Sequence, residues 1–190
     1  MTPDIRTTEA LLAHIAQGHR PEYLLFWGHT PPKDGSTNKS CFSQWFEAPF
    51  TVEGEHYATA EHFMMAGKAR LFGDEEICAK ILAARTPGDA KKLGRKIRGF
   101  DEGKWVEARF DIVTRGNIAK FSQNAAMGAF LLGTGDQVLV EASPVDALWG
   151  IGLAATDAEA QDPAQWRGLN LLGYALMVAR EEIRQGRTLP

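Results

Sequence analysis

The chain has only two cysteines in 190 residues, Cys41 and Cys78, and neither belongs to a CxxC pair or has a histidine at ligand spacing. That pattern excludes a disulfide framework and a cysteine-based zinc site, so both thiols are expected to be reduced and partly buried. No apolar run approaches the ~20 residues that a bilayer span requires. The first nine residues carry Asp4 and lack an apolar stretch, so no secretory leader is expected and a cytoplasmic location follows by default. Positive charge is scarce as well: 21 Lys and Arg against 24 Asp and Glu leave a net charge of -3, which disfavours non-specific duplex binding. Also missing are GxSxG, HExxH, GxxxxGK[ST] and a GxGxxG placed after a strand. Gly133-Thr-Gly135 comes after an expected helix rather than a strand, and the five histidines form no ligand pattern. Neither a metal nor a cofactor is therefore expected.

The hydrophobic fraction, 44%, and the charged fraction, 24%, are those of a soluble globular chain, and the length suits one domain. Apolar spacing and cap residues predict mainly helix. Leu11, Leu12 and Ile15 give a weak helix over 8–17, and residues 1–20 read as an N-terminal appendage to a domain at 21–187. Thr59, Asp74, Thr86 and Asn124 are candidate caps, with Pro87 at the first position after Thr86. A long helix is expected over 102–121 and a last one over 169–185. Tyr23 to Gly28 reads as a short extended run ending in a glycine, Gln137 to Ala142 as the best strand candidate, and Phe50 to Tyr57 as a hairpin turning at Glu53-Gly54. The polar run 30–40 reads as a mobile loop, a lid if it borders the site, and 153–167 as a variable loop. The fold class is thus a single compact, mainly α domain with a small β-hairpin and one or two short strands.

Thr59-Ala-Glu-His-Phe-Met-Met-Ala-Gly-Lys-Ala-Arg-Leu-Phe72 carries the clearest chemical signal. Glu61 and Lys68 are seven residues apart, close to two helical turns, so they share a face about 10 Å apart along the axis. Met65 and Phe72 fill the same stripe, while Phe63, Met64, Gly67 and Leu71 have core spacing. Burying an unpaired charge among such neighbours costs several kcal/mol, which favours a pocket over a solvated surface. Asp146 and Trp149 follow the strand candidate in a loop marked by Pro144 and Gly150, where site residues are often held; a turn-capping Asp and a core-covering Trp is the alternative. Half of the aromatics fall between Tyr23 and Phe63, either as core or as a platform for a flat base. Lys91, Lys92, Arg95, Lys96 and Arg98 form a basic cluster that reads first as a solvated helix face. Two acids with a tryptophan suit cleavage at an electron-poor carbon such as an anomeric centre.

Phe42-Ser-Gln-Trp-Phe46, Tyr57-Ala-Thr-Ala-Glu61 through Lys68, Gly94-Arg95, Ala119-Lys-Phe121, Leu139-Val-Glu141, Asp146-Ala-Leu-Trp-Gly150 and Asn170-Leu-Leu-Gly-Tyr174 occur in an order that closely resembles the YbiA-like, or NADAR, family over about residues 23–185. The resemblance implies a mainly helical fold and hydrolysis of N-glycosidic bonds. Family members cleave phosphoribosylamino-pyrimidines of riboflavin synthesis or remove ADP-ribose from guanine. It implies Glu61, Lys68 and Asp146 as catalytic candidates, with Phe42, Trp45, Trp149, Gly150, Arg95, Lys120 and Asn170 as substrate-binding candidates. Phe42 and Trp45 would form the base-facing wall, Arg95 or Lys120 would hold phosphate, and Lys68 would be either a Schiff-base nucleophile or a phosphate ligand. Expected partners are a phosphoribosylated or ADP-ribosylated small molecule, or ADP-ribosylated DNA, and no membrane. A non-catalytic ADP-ribose or NAD-binding module is the remaining alternative. The loop at 33–39 and the segment at 153–167 are longer than in shorter family members.

Overall fold

In the computed structural model, which describes residues 5–188, seven α-helices and four short strands are present. The strand candidates find each other across the chain. β1 (Tyr23–Phe26) and β4 (Val138–Glu141) run parallel, with Tyr23 opposite Val138 and Phe26 opposite Glu141. Both are almost wholly apolar because both are covered, as buried parallel strands must be. β2 (Phe50–Val52) and β3 (Glu55–Tyr57) form the expected hairpin. Its turn residues Glu53 and Gly54 have φ of 53° and 81°, the left-handed pair that a two-residue hairpin loop needs. Phe50 and Tyr57 then stack at 5.6 Å and meet Phe63 of the following helix.

The helices are α1 (Thr8–Ala16), α2 (Ala60–Leu71), α3 (Glu75–Leu82), α4 (Pro87–Gly94), α5 (Glu102–Gln123), α6 (Ala125–Gly133) and α7 (Leu171–Arg184). Thr59, Asp74, Thr86 and Asp101 each accept a backbone N–H from the first turn of α2, α3, α4 and α5. Asn124 departs from its expected capping role. Its side chain makes no bond to the first turn of α6 and instead donates to the carbonyls of Pro49 and Lys120, tying the start of the hairpin to the end of α5.

α5 lies at the centre, packed against α7 on one side and α2 on the other, while α7 backs β4. α1 is docked on this body: Leu11 is fully buried and the Thr8 hydroxyl lies 3.1 Å from that of Tyr174. The segment 153–167 holds two short 3-10 turns, and the Trp166 indole donates to the Ala160 carbonyl at 3.0 Å. No helix among the described residues is long and apolar enough to cross a membrane.

Candidate active site

At the carboxyl end of β4 the chain enters Ser143–Gly152, and this loop is built from backbone bonds. Asp146 Oδ1 accepts the N–H groups of Leu148 and Trp149 at 2.9 and 2.8 Å, a side-chain turn that fixes Trp149. Ile151 donates to the Glu141 carbonyl, while Leu169, Asn170 and Leu172 donate to the carbonyls of Ala147, Gly150 and Trp149. Gly150 is needed here because a Cβ would come within 2.7 Å of the Glu141 carbonyl oxygen and 2.9 Å of that of Asp146. Asp146 thus caps the turn, as the alternative reading had it, and Gly150 is required by the close approach of two carbonyls.

The opposite wall is Ser43-Gln44-Trp45. Its backbone is held by Lys120, which is wholly buried and donates to the carbonyls of Cys41 and Ser43 at 2.6 and 2.9 Å. Gln44 receives a bond from the Asn117 amide at 3.0 Å, and its carbonyl accepts the Glu61 N–H at 2.9 Å. α2 supplies Glu61, Met64, Met65 and Lys68; α4 supplies Lys91, α5 Trp105 and α7 Leu172. Together with Glu141, Asp146 and Trp149 they enclose a cavity of about 150 Å³.

Two carboxyl oxygens in this cavity stand out. Glu61 Oε1 and Glu141 Oε2 are buried and have no hydrogen-bond partner, an arrangement that native interiors tolerate rarely and often for function. Burial pushes the Glu61 carboxyl up to about 7, the charge of Lys91 and a hydrogen bond from Trp45 pull it down, and the charge of Asp146 adds to the rise. Burial likewise pushes Glu141 up to about 8, reinforced by Asp146 and Glu61 and opposed by Lys91. Lys68 is half-buried; its ammonium lies 3.3 Å from the Gly94 carbonyl, 4.2 Å from the Phe100 ring centroid and 5.3 Å from that of Trp105. Burial lowers its pKa, against the pull of Glu102. Lys91 stands 5.8 Å from the Trp45 ring centroid and makes no ion pair among the described residues, whereas its neighbour Lys92 turns outward to Asp89 at 3.3 Å.

Of the residues picked from the sequence, Glu61, Lys68, Asp146, Trp45 and Trp149 converge on the cavity. Five others do not line it: Gly150, expected to bind substrate, serves the close approach of the Glu141 and Asp146 carbonyls instead, and the remaining four have other roles. Phe42 is fully buried against Phe26, Phe121 and Phe130, so no ring face is left for a base. Lys120 is a backbone anchor, and Arg95 is exposed at the end of α4. Asn170, left-handed at φ 52°, is buried and bridges strand and helix: its Oδ1 accepts the Glu141 N–H at 2.9 Å and its Nδ2 donates to the Leu139 carbonyl at 3.0 Å. No residue of the 30–40 loop lines the cavity either, so that loop is no lid over it. Glu141 and Lys91 are the additions. Glu141 ends an apolar strand and Lys91 sits in a basic run, and neither pattern distinguishes an inward side chain from an outward one.

A larger groove of about 900 Å³, lined by His14, His19, Arg20 and residues 133–138, opens at the amino ends of β1 and β4. None of the unpartnered buried groups lies in it, and the carboxyl ends of parallel strands are where ligand sites collect. The smaller cavity is therefore the candidate site. Among the described residues, no group of three or more His, Cys, Asp or Glu side chains is arranged to hold a metal ion.

The NADAR domain family model matches residues 25–184. The chain is 44% identical over 169 residues to N-glycosidase R617 of Acanthamoeba polyphaga mimivirus, covering 86% of this chain and 98% of that protein. It is 30% identical over 148 residues to a Vibrio vulnificus riboflavin biosynthesis protein, covering 78% of this chain and 36% of the other. The solution structure of Escherichia coli YbiA superposes with a TM-score of 0.70 at 27% identity, covering 89% of each chain. Fold, carboxyl-lined cavity and relatives define a hydrolase of N-glycosyl bonds. The chain belongs to the NADAR domain family.

Proposed function

We propose that the cavity hydrolyses the bond between ribose C1 and nitrogen in phosphoribosylamino-pyrimidines, the intermediates of riboflavin biosynthesis. The observation that carries this reading is the pair of carboxyls with buried, unpartnered oxygens, Glu61 and Glu141, lining one cavity with Trp45 and Trp149. Breaking a C1–N bond leaves positive charge on the ribosyl carbon, which an adjacent carboxylate stabilises; water must then be deprotonated as it attacks. Glu61, on the rigid first turn of α2, suits both tasks. The flat indoles suit the heterocyclic base. The name of the Vibrio relative supports the riboflavin connection.

Lys91 is the cation for the 5-phosphate. It faces the cavity and, unlike Lys92, makes no close ion pair among the described residues, although its charge acts on Glu61 and Glu141, and it takes the place that residue type alone assigned to Arg95 or Lys120. The deciding experiment supplies the phosphoribosylamino-pyrimidine, its dephosphorylated form and ADP-ribosylated guanosine, and follows released sugar by mass spectrometry. Release is expected from the first, and Lys91→Ala is expected to raise KM for it by about tenfold while barely changing KM for the dephosphorylated form, a tenfold change being about 1.4 kcal/mol. Release from ADP-ribosylated guanosine alone would move the function to reversal of guanine ADP-ribosylation and sink the pyrimidine assignment.

Lys68 offers a covalent route in the same cavity. Its amine is held on two aromatic faces with a lowered pKa, so more of it is free base than in solution. The ribosylamine opens to an imine at C1, the lysine displaces the base amine by exchange, and water releases the sugar. Borohydride added during turnover should leave a reduced sugar adduct on Lys68, seen by peptide mapping. A clean Lys68 peptide under turnover would leave direct water attack with Glu61 as base.

A further inference from the structure

Breaking a glycosylamine bond needs a second group beyond the one facing C1, because the departing nitrogen must gain a proton. Asp146 is poorly placed to give it, since Oδ1 is committed to two backbone N–H groups. Lys68 and Lys91 complete the set of titratable groups lining the cavity, with Glu61 and Glu141. Glu61 and Glu141 differ in their neighbours. Both face Asp146 and each other, but the Trp45 indole favours the charged form of Glu61, while Glu141 has no such donor beside it. Carboxyls crowded in this way cannot all ionise, and the proton settles on the one with fewer groups favouring its charge.

We propose that Glu141 is the proton donor to the departing nitrogen, working opposite Glu61 across the cavity. The assignment rests on the N-glycosidase reading above. Glu141 Oε2 is buried and has no protein partner, so a protonated carboxyl there has a bond to give to whatever occupies the cavity. Its backbone is fixed on both sides: Asn170 holds the N–H at 2.9 Å and Ile151 donates to the carbonyl at 2.9 Å, so the side chain starts from a rigid strand end. In the reaction, the C1–N bond breaks with its electron pair passing to nitrogen, and the Glu141 proton is taken up by that pair. Water adds to the ribosyl cation and gives its proton to Glu61. Solvent then returns one proton from Glu61 to Glu141, and the sum is water consumed, sugar and amine released. The upward displacement of both carboxyls keeps one such proton available near neutral pH.

The test is a pH profile of kcat/KM with the ribosylamine substrate for wild type, Glu141→Gln, Glu141→Asp and Glu61→Gln. Wild type is expected to lose rate on the alkaline side as the donor deprotonates. Glu141→Gln should lose about 10²-fold or more and show no alkaline limb, and Glu141→Asp should recover part of both. A second readout does not need turnover. Because the Glu141 pKa is raised on folding, the folded chain binds more protons than the unfolded one between about 4.5 and about 8. Its contribution therefore lowers stability as pH rises through that window, and the melting temperature of Glu141→Gln should fall less with pH than that of wild type. A Glu141→Gln enzyme with the wild-type rate or an intact alkaline limb would overturn the assignment, as would loss of that limb in Glu61→Gln instead. A wild type that releases no sugar overturns the N-glycosidase reading itself, a result separable from either.

Discussion

Glu61→Gln is expected to lower kcat by about 10²–10⁴-fold, the range for removing a positioned acid–base group, while the folded structure persists. The amide has the same shape as the carboxyl, and the backbone bond from Glu61 N–H to the Gln44 carbonyl is untouched. Substrate affinity should change little, since the indoles and Lys91 remain. The measurement is kcat and KM from sugar release, with a thermal melt as control. Near neutral pH the melt should move up rather than down. Glu61 is 2% exposed and its pKa rises on folding, so ionising it opposes folding as pH climbs from about 4.5 to about 7. A variant that kept more than a tenth of wild-type kcat would remove Glu61 from the mechanism.

Lys120→Met is expected to have the largest effect on stability, about 2–5 kcal/mol, because two buried carbonyls lose their only side-chain donor at once. For a chain of this length that is a fall of roughly 5–15 °C in melting temperature. The Met side chain fills much of the same volume, so the loss would come from the unsatisfied Cys41 carbonyl and from the Ser43 carbonyl, which keeps only the Phe46 N–H, rather than from a void. Burial lowers the Lys120 pKa to about 7, well under that of a lysine in the unfolded chain. The unfolded state then binds the extra proton between about 7 and 10.5, so the lysine's contribution grows as pH rises through that window. The gap between wild type and Lys120→Met should accordingly be wider at pH 9 than at pH 6. Equal melting temperatures at both pH values would show that the 41–43 carbonyls do not depend on this amine. Activity should fall along with stability, since the same carbonyls hold the wall that carries Trp45.

The local features of this chain were legible because local rules govern them. Thr59, Asp74 and Thr86 cap helices as their positions predict, and the seven-residue spacing from Glu61 to Lys68 does place both on the cavity face of α2. The parallel pairing of β1 with β4 was not legible. Two four-residue apolar runs carry no register information about a partner so far along the chain, and their pairing is decided by the helices packed over them. Leu71 shows the limit of periodicity: core spacing places it with Phe63 and Met64, yet, as the last residue of α2, it is 38% exposed. Lys91 and Lys92 show the same limit in charge. Adjacent lysines on α4 diverge, one into the cavity and one to Asp89, and nothing in their shared sequence context separates them. Lys120 and Asn170 are essential in appearance for a different reason from the one their motifs suggest. Each satisfies backbone groups that would otherwise be orphaned next to the cavity.

β1 and β4 bracket five of the seven helices in the chain order, and every wall of the cavity comes from a different stretch of that interval or from just beyond it. No fragment ending before Glu141 contains both carboxyls, and no contiguous segment short of about the whole domain contains the tryptophans and the two glutamates with their supports. Closing so long a loop is entropically slow. During synthesis or refolding the enzyme should therefore stay silent until the last long-range pairing has formed, and then switch on in step with it. Turnover would serve as an assay for complete folding of this chain, with partly folded species contributing no background.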